Sequence, residues 1–178
     1  PVKPYMPPGL WESISNNKYV QDHGAALYRR TLYTYWRRTI PPPLLMPLNA
    51  GDREVGVVRK DRTNTPLQAL SLMNNVVFVE ASRHLAERML TGGSDAPSAL
   101  RTGFELVLAR APTDHELAIL LQSHARFLER YRHDVKAARQ LLGHGESSRD
   151  KTLDPASHAA MTMTASLILN LDEAMTRE

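Results

Sequence analysis

The chain has 178 residues, 42% of them apolar and 23% charged, with 12 prolines and no cysteine. A chain of this length supports one domain with its own core. Its composition excludes a disordered or fibrous protein, and the lack of Cys excludes disulfides, thiol catalysis, Cys-ligated zinc, iron–sulfur clusters and c-type haem attachment within it.

The net charge of +3 is unevenly placed: residues 1–91 carry 12 Lys/Arg against 7 Asp/Glu, and residues 92–178 carry 10 against 12. Between Arg29 and Arg62 there are eight basic and three acidic residues. A local positive field of this kind attracts phosphate, sulfate or carboxylate groups, or pairs with acidic side chains nearby. No apolar run approaches the ~18 residues that a membrane span requires.

Eight of the prolines fall in the first 47 residues, so residues 1–23 and 40–62 are expected to be largely irregular. The Pro-rich opening, with no charged and apolar leader pattern, reads as an internal segment of a longer protein. Gly9–Ser15 forms at most a helical turn anchored by Trp11. Helix-like sequence runs from about Gly24 to Thr39 and is stopped by Pro41-Pro42-Pro43. Val55, Val57 and Val58 would form one short strand without a visible partner.

Helical punctuation follows. Thr65, Pro66 and Gln68 give an N-cap, a proline at the first helical position and a capping-box Gln. Asn74 or Asn75 caps a second helix that runs to Leu90 before Gly92-Gly93, and Asp95 opens a third with Leu100, Phe104, Val107 and Leu108 on one face. Thr113 and Glu116 form another capping box, ahead of a stripe at Leu117, Leu120, Leu121, His124, Phe127, Leu128 and Tyr131. Residues 143–153 read as a flexible polar loop. Asp154-Pro155 opens the last helix, where Ala156, Ala160, Met163, Leu167 and Leu171 align. The expectation is a single all-α domain over residues 1–178, an irregular bundle of five to six helices behind a Pro-rich, largely non-regular N-terminal segment.

Two stretches carry candidate chemistry. Tyr28–Arg38 mixes aromatics with guanidiniums: on a helix, Tyr28, Leu32, Tyr35 and Trp36 share one side, and Arg30, Thr34, Arg37 and Arg38 another. Aromatics with Arg stack bases or sugars and clamp anions; the ordinary reading is an apolar stripe packed on a core, with a solvated basic face. In the polar stretch 49–64, Asp52 and Glu54 are two carboxylates that would divide acid and base roles in glycoside hydrolysis. Arg53, Arg59 and Arg62 would bind anionic groups beside the N-terminus of the helix at Pro66, and Asn64 would orient a substrate. The ordinary reading there is a loop held by Arg–Asp pairs and caps. None of the seven histidines makes an HExxH pattern, His124 reads as a hydrogen-bonded core residue, and no metal site is expected. There is no nucleophile elbow, Walker loop or dinucleotide fingerprint.

Longer strings identify a resemblance. Tyr28–Thr39, Pro41-Pro42-Pro43, Asp52-Arg-Glu-Val55 and above all Arg62-Thr-Asn-Thr-Pro-Leu-Gln-Ala-Leu70 resemble the planctomycete domain of unknown function 1553. So do Phe78-Val-Glu-Ala81, Leu85-Ala-Glu-Arg88, Arg110-Ala-Pro-Thr-Asp-His-Glu116 and Leu169-Asn-Leu-Asp-Glu173, densely over residues 9–90 and thinly beyond. Gly56 departs from the pattern, which has Cys after the Arg-Glu-Val, so the resemblance carries no thiol role here. It implies a domain at the C-terminus of a large exported protein, behind another domain of unknown function and often a cytochrome-c-like domain. Any haem c would lie elsewhere in that parent, with no cofactor in this chain. The family pattern is longer than this chain at its N-terminal side, and it brings no established activity or catalytic residue.

The leading expectation is a helical docking module that contacts neighbouring domains of its parent through the Arg-rich segment 29–62. A part of an enzyme that binds or hydrolyses anionic, sulfated polysaccharide is the alternative, with Asp52 and Glu54 as acid and base. Nucleic-acid binding ranks third, because the basic charge is small and local.

Overall fold

The computed structural model describes residues 1–51, 56, 58, 63 and 65–175. The chain divides into two compact units, Pro1–Ser71 and Leu72–Glu178.

The N-terminal unit is built of extended backbone and turns. Val2 lies beside Thr34, its N–H donating to the Tyr33 carbonyl at 2.7 Å and its carbonyl accepting from the Tyr35 N–H at 2.6 Å. Asp22 returns alongside, with its N–H on the Lys3 carbonyl and its carboxylate on the Lys3 N–H at 2.8 Å. This pairing replaces the helix expected over residues 24–39. Only two 3-10 turns form there, α-helical in neither case, at Gly24–Tyr28 and Thr31–Tyr33. Thr31, Thr34, Tyr33, Tyr35 and Trp36 are weak helix formers that suit extended backbone, and pairing with Val2 decides between the two. Gly9–Ser15 does make a turn, with the Ser15 N–H on the Trp11 carbonyl at 2.9 Å. Trp11, Ile40 and Leu45 are buried with Val2. The strand residues Val55 and Val57 lie outside the described residues.

Helix α1 (Pro66–Asn74) begins as the sequence dictates: the Thr65 N–H donates to Gln68 Oε1 at 2.7 Å and the Gln68 N–H to Thr65 Oγ1 at 3.2 Å. The C-terminal unit continues with α2 (Val76–Gly92), α3 (Ala96–Leu108), α4 (Asp114–His133), α5 (Val135–Leu142), α6 (Pro155–Leu169) and the short α7 (Asp172–Met175). Side chains of Asn75, Asp95, Thr113, Asp134 and Asp154 cap α2 to α6 in turn. Each such cap contributes about 1 kcal/mol. The single residue Asp134, whose carboxylate accepts the Ala137 N–H at 2.8 Å, divides what reads as one long helix into α4 and α5.

Helix α6 is the centre of this unit, packed against α2, α4 and α5. Of the stripe expected on it, only Ala156 and Ala160 are buried, and Leu171 is exposed beyond its end; nine residues of α6 are buried, among them Ala159, Ala160, Thr164 and Ala165 with no measurable exposure. A helix enclosed on all sides shows little amphipathic pattern, and small residues let its neighbours approach closely. The α3 and α4 stripes behave as expected, with Leu100, Phe104, Leu117 and Leu120 in the core and His124 buried beside Thr164 Oγ1 at 3.3 Å. Burying each large apolar side chain contributes about 1.5–3 kcal/mol. Among the described residues no helix is long and apolar enough to cross a membrane.

An exposed ionic clasp joins α3, α4 and α7. Arg110 donates to both oxygens of Glu116, at 2.8 and 3.1 Å, and to Glu173 at 2.7 Å, while its guanidinium lies 4.9 Å from the Phe104 ring centroid. Glu116 also accepts the Thr113 N–H in the capping box. Arg110 first, then Thr113, hold the Glu116 carboxyl down at about 2. A carboxyl lowered by folding stabilises the folded state above its ordinary value of 4.5 and loses that contribution as pH falls towards 2. We expect Glu116 to titrate near 2 by NMR and to move up towards, but not reach, 4.5 in Arg110→Leu, because the Thr113 bonds remain. An unchanged titration in the variant would refute the assignment of Arg110 as the main cause.

Candidate functional site

Of the residues singled out in the sequence, Asp52, Arg53, Glu54, Arg59, Arg62 and Asn64 lie outside the described residues. The other three arginines are placed, and they do not converge. Arg37 sits over the Trp11 ring, 5.2 Å from its centroid, and its carbonyl accepts the Ile40 N–H. Trp11 in turn packs against Tyr19 and Tyr35, with centroids 5.1 and 6.0 Å away. Lys3 reaches the far ring, 5.7 Å from Tyr35. Tyr19 donates its hydroxyl to the Pro4 carbonyl at 2.6 Å, and burial, then Asp22, push its pKa up to about 12. The aromatic and Arg37 side chains therefore build the core of the N-terminal unit rather than an open stacking platform. Arg30 and Arg38 are exposed. The two faces expected on a helix do not form: Tyr28 and Leu32 are exposed while Tyr35 packs on Trp11, because short 3-10 turns broken by extended residues replace the α-helix there.

Beside that core lies an open apolar groove of about 490 Å³, lined by Leu10, Pro41, Pro43, Met46, Pro47 and Leu67. The prolines fix its wall, since their backbone dihedrals have little freedom.

The C-terminal unit holds a polar cluster that the sequence reading missed. Glu80, Arg83, His84 and Glu87 stand three and four residues apart on α2 and so share one face of it. Arg83 is only 2% exposed. Its Nη1 donates to the carbonyls of Leu142 at 2.7 Å and His144 at 3.3 Å, and its Nη2 to the Ser147 carbonyl at 2.7 Å, Ser147 Oγ at 2.6 Å and Glu80 Oε1 at 3.4 Å. Glu80 also accepts the Ser147 N–H at 2.7 Å and the Ser147 hydroxyl. Glu87 receives the Asp150 N–H at 3.0 Å. The 143–153 loop, expected to be flexible, is thus tied to α2 along its length by charge-assisted bonds. Gly145, at φ +92, passes so close that a Cβ there would run into the Glu80 carboxylate.

Ser147 Oγ lies 2.6 Å from His84 Nε2, and His84 Nδ1 lies 2.9 Å from Glu87 Oε2. That is the spacing of a nucleophile, a base and an orienting carboxylate. Proton counting argues against that use. A hydroxyl has one proton, and here it goes to the Glu80 carboxylate, while Arg83 and His84 meet the oxygen's lone pairs. An oxygen that accepts from a guanidinium is a poor nucleophile, so the trio secures the loop. Among the described residues no group of three or more His, Asp or Glu side chains is arranged to hold a metal ion.

The one signal available in the sequence was the spacing of Glu80, Arg83, His84 and Glu87 on a helix otherwise rich in apolar residues. Their partners, 60 or so positions later, gave none. Removing one member of a buried ion pair costs about 3–5 kcal/mol, because the other charge is left without compensation. We therefore expect Arg83→Met and Glu80→Leu each to destabilise the chain strongly in urea unfolding, and the double variant to cost clearly less than their sum. Additivity within about 0.5 kcal/mol would show that the pair is not coupled.

Comparison with known proteins agrees with the motifs. No curated protein and no solved structure matches the chain. A family model, PSD1, described as a protein of unknown function (DUF1553), matches residues 1–124. This span includes the Thr65–Gln68 cap, the Trp11 core and the four polar residues of α2, and with it the chain belongs to the DUF1553 family of proteins of unknown function.

Proposed function

We propose that this chain is an interaction module of a larger exported multidomain protein, docking a neighbouring domain of the same parent through its N-terminal unit. The observation that carries this reading is the apolar exposure of the basic segment: Tyr28, Leu32 and Tyr33 are 55%, 71% and 54% exposed, on either side of the Arg29-Arg30 pair and ahead of Arg37-Arg38. Contiguous exposed apolar side chains bordered by charge are the usual mark of a protein-binding surface. The groove lined by Leu10, Met46 and Leu67 adds concave apolar surface in the same unit. Arg30 and Arg38, both exposed, would form the polar rim, setting register and on-rate more than affinity. The engagement of Arg37 with Trp11 supports the same reading, since it removes the guanidinium best placed for stacking on a sugar or a base.

The test is hydrogen exchange of the parent protein against this chain alone. Backbone amides of residues 28–33 are expected to exchange at least about tenfold more slowly in the parent, and Leu32→Asp with Tyr33→Ser to abolish that difference. As surface changes, the two substitutions should alter the stability of the isolated chain by no more than about 0.5 kcal/mol each. Equal exchange in parent and isolated chain would overturn the docking reading.

A further inference from the structure

His158 stands in the first turn of α6, fully buried, with neither ring nitrogen hydrogen-bonded. Its Nε2 lies 3.6 Å from Glu87 Oε1, too far for a hydrogen bond, and that oxygen already accepts the Asp150 N–H at 3.0 Å. The charged groups facing the ring are Glu87 and Arg83 of α2 and Arg149 and Asp150 of the 143–153 loop. Helices α4 and α5, which also pack on α6, meet this end of it with Tyr131, Ala138 and Leu142. Burial is the largest cause and holds the ring's pKa below 6.5; Glu87 and the nearby Arg83 backbone favour a protonated ring, and the two guanidiniums disfavour it.

We propose that the 143–153 loop is an acid-sensitive strap, and that protonation of His158 releases it from α2 while the helices stay folded. An imidazolium held out of water loses its hydration, and opening of the loop restores it. Of the elements beside it, the loop buries the least apolar surface and is held by polar bonds that water can replace, whereas α2, α4 and α5 bury the core. A charged His158 also competes with the Asp150 N–H for the same Glu87 oxygen. Because the closed state holds the neutral ring, opening takes up a proton, and the open population grows as pH falls through 6.5 and below.

Amide hydrogen exchange of the chain, followed by NMR at pH 7.5 and 5.0 and corrected for intrinsic rates, decides the matter. The opening constants read at the Ser147 and Asp150 amides should rise about tenfold on acidification. Those of Phe104 and Leu120 should not change, and His158→Asn should remove the rise. In the unmodified chain, the ring of His158 should titrate with the same midpoint as the strap amides, which keeps the test decisive if the variant fails to fold. Strap amides that stay constant or become better protected would overturn the proposal, as would a change shared by the core amides or a His158 titration with a different midpoint.

Discussion

A guanidinium taken out of water must find acceptors for its donors, and the C-terminal unit is arranged around meeting that demand at the two terminal nitrogens of Arg83. Its Nη1 and Nη2 reach the last carbonyl of α5, two carbonyls of the following loop, the Ser147 hydroxyl and the Glu80 carboxylate. Leu142 and the loop can be approached only if α5 turns back from α4 at Asp134 and the chain then runs along α2 before entering α6. The ion pair by itself adds little net stability, because desolvating two charges offsets most of their attraction. What it adds is definition: alternative paths for residues 143–153 would leave Arg83 and Glu80 buried without partners, and that penalty selects one path.

Much of the architecture follows from local rules. The caps at Thr65, Asp95, Thr113 and Asp154 and the stripes of α3 and α4 could be read directly, because helix starts are set by side chains within three residues of the first turn. What could not be read depended on contacts distant in sequence. The segment 24–39 has helical spacing of its apolar residues, yet it forms only two 3-10 turns and pairs at Thr34 with Val2, more than 30 positions earlier. The buried perimeter of α6 reflects neighbours on every side. The polar cluster joins residues 80–87 to 142–158 and has no local signature. Of the site candidates, Arg37 was read on a basic face opposite the aromatics yet lies over Trp11, and Arg30 and Arg38 come out as exposed charges. Asp52, Arg53, Glu54, Arg59, Arg62 and Asn64 lie outside the described residues.

The two units use arginine in contrasting ways. Arg37 lies flat on an indole and contributes packing and a cation–π contact, while Arg83 acts as a hydrogen-bonding hub and Arg110 bridges two surface carboxylates. Only the guanidinium's combination of a flat apolar face and an edge of fixed donors serves all three. Lysine in any of the three places would keep the charge and lose the function. The basic excess noted in the N-terminal half is therefore partly structural, and among the described residues Arg29, Arg30 and Arg38 stay exposed in the same segment as the exposed Tyr28 and Tyr33.

The family match ends at residue 124, within α4, whereas the polar cluster lies on both sides of that point and α6 wholly beyond it. Similarity and cooperativity therefore draw different borders. A chain ending where the match ends would retain Glu80 and Arg83 but lose every main-chain carbonyl that Arg83 reaches, and would uncover the faces of α2 and α4 that α6 fills. The smallest piece able to fold as a cooperative whole must extend through α6, so the least recognisable third of the sequence is indispensable to the fold of the rest of its unit.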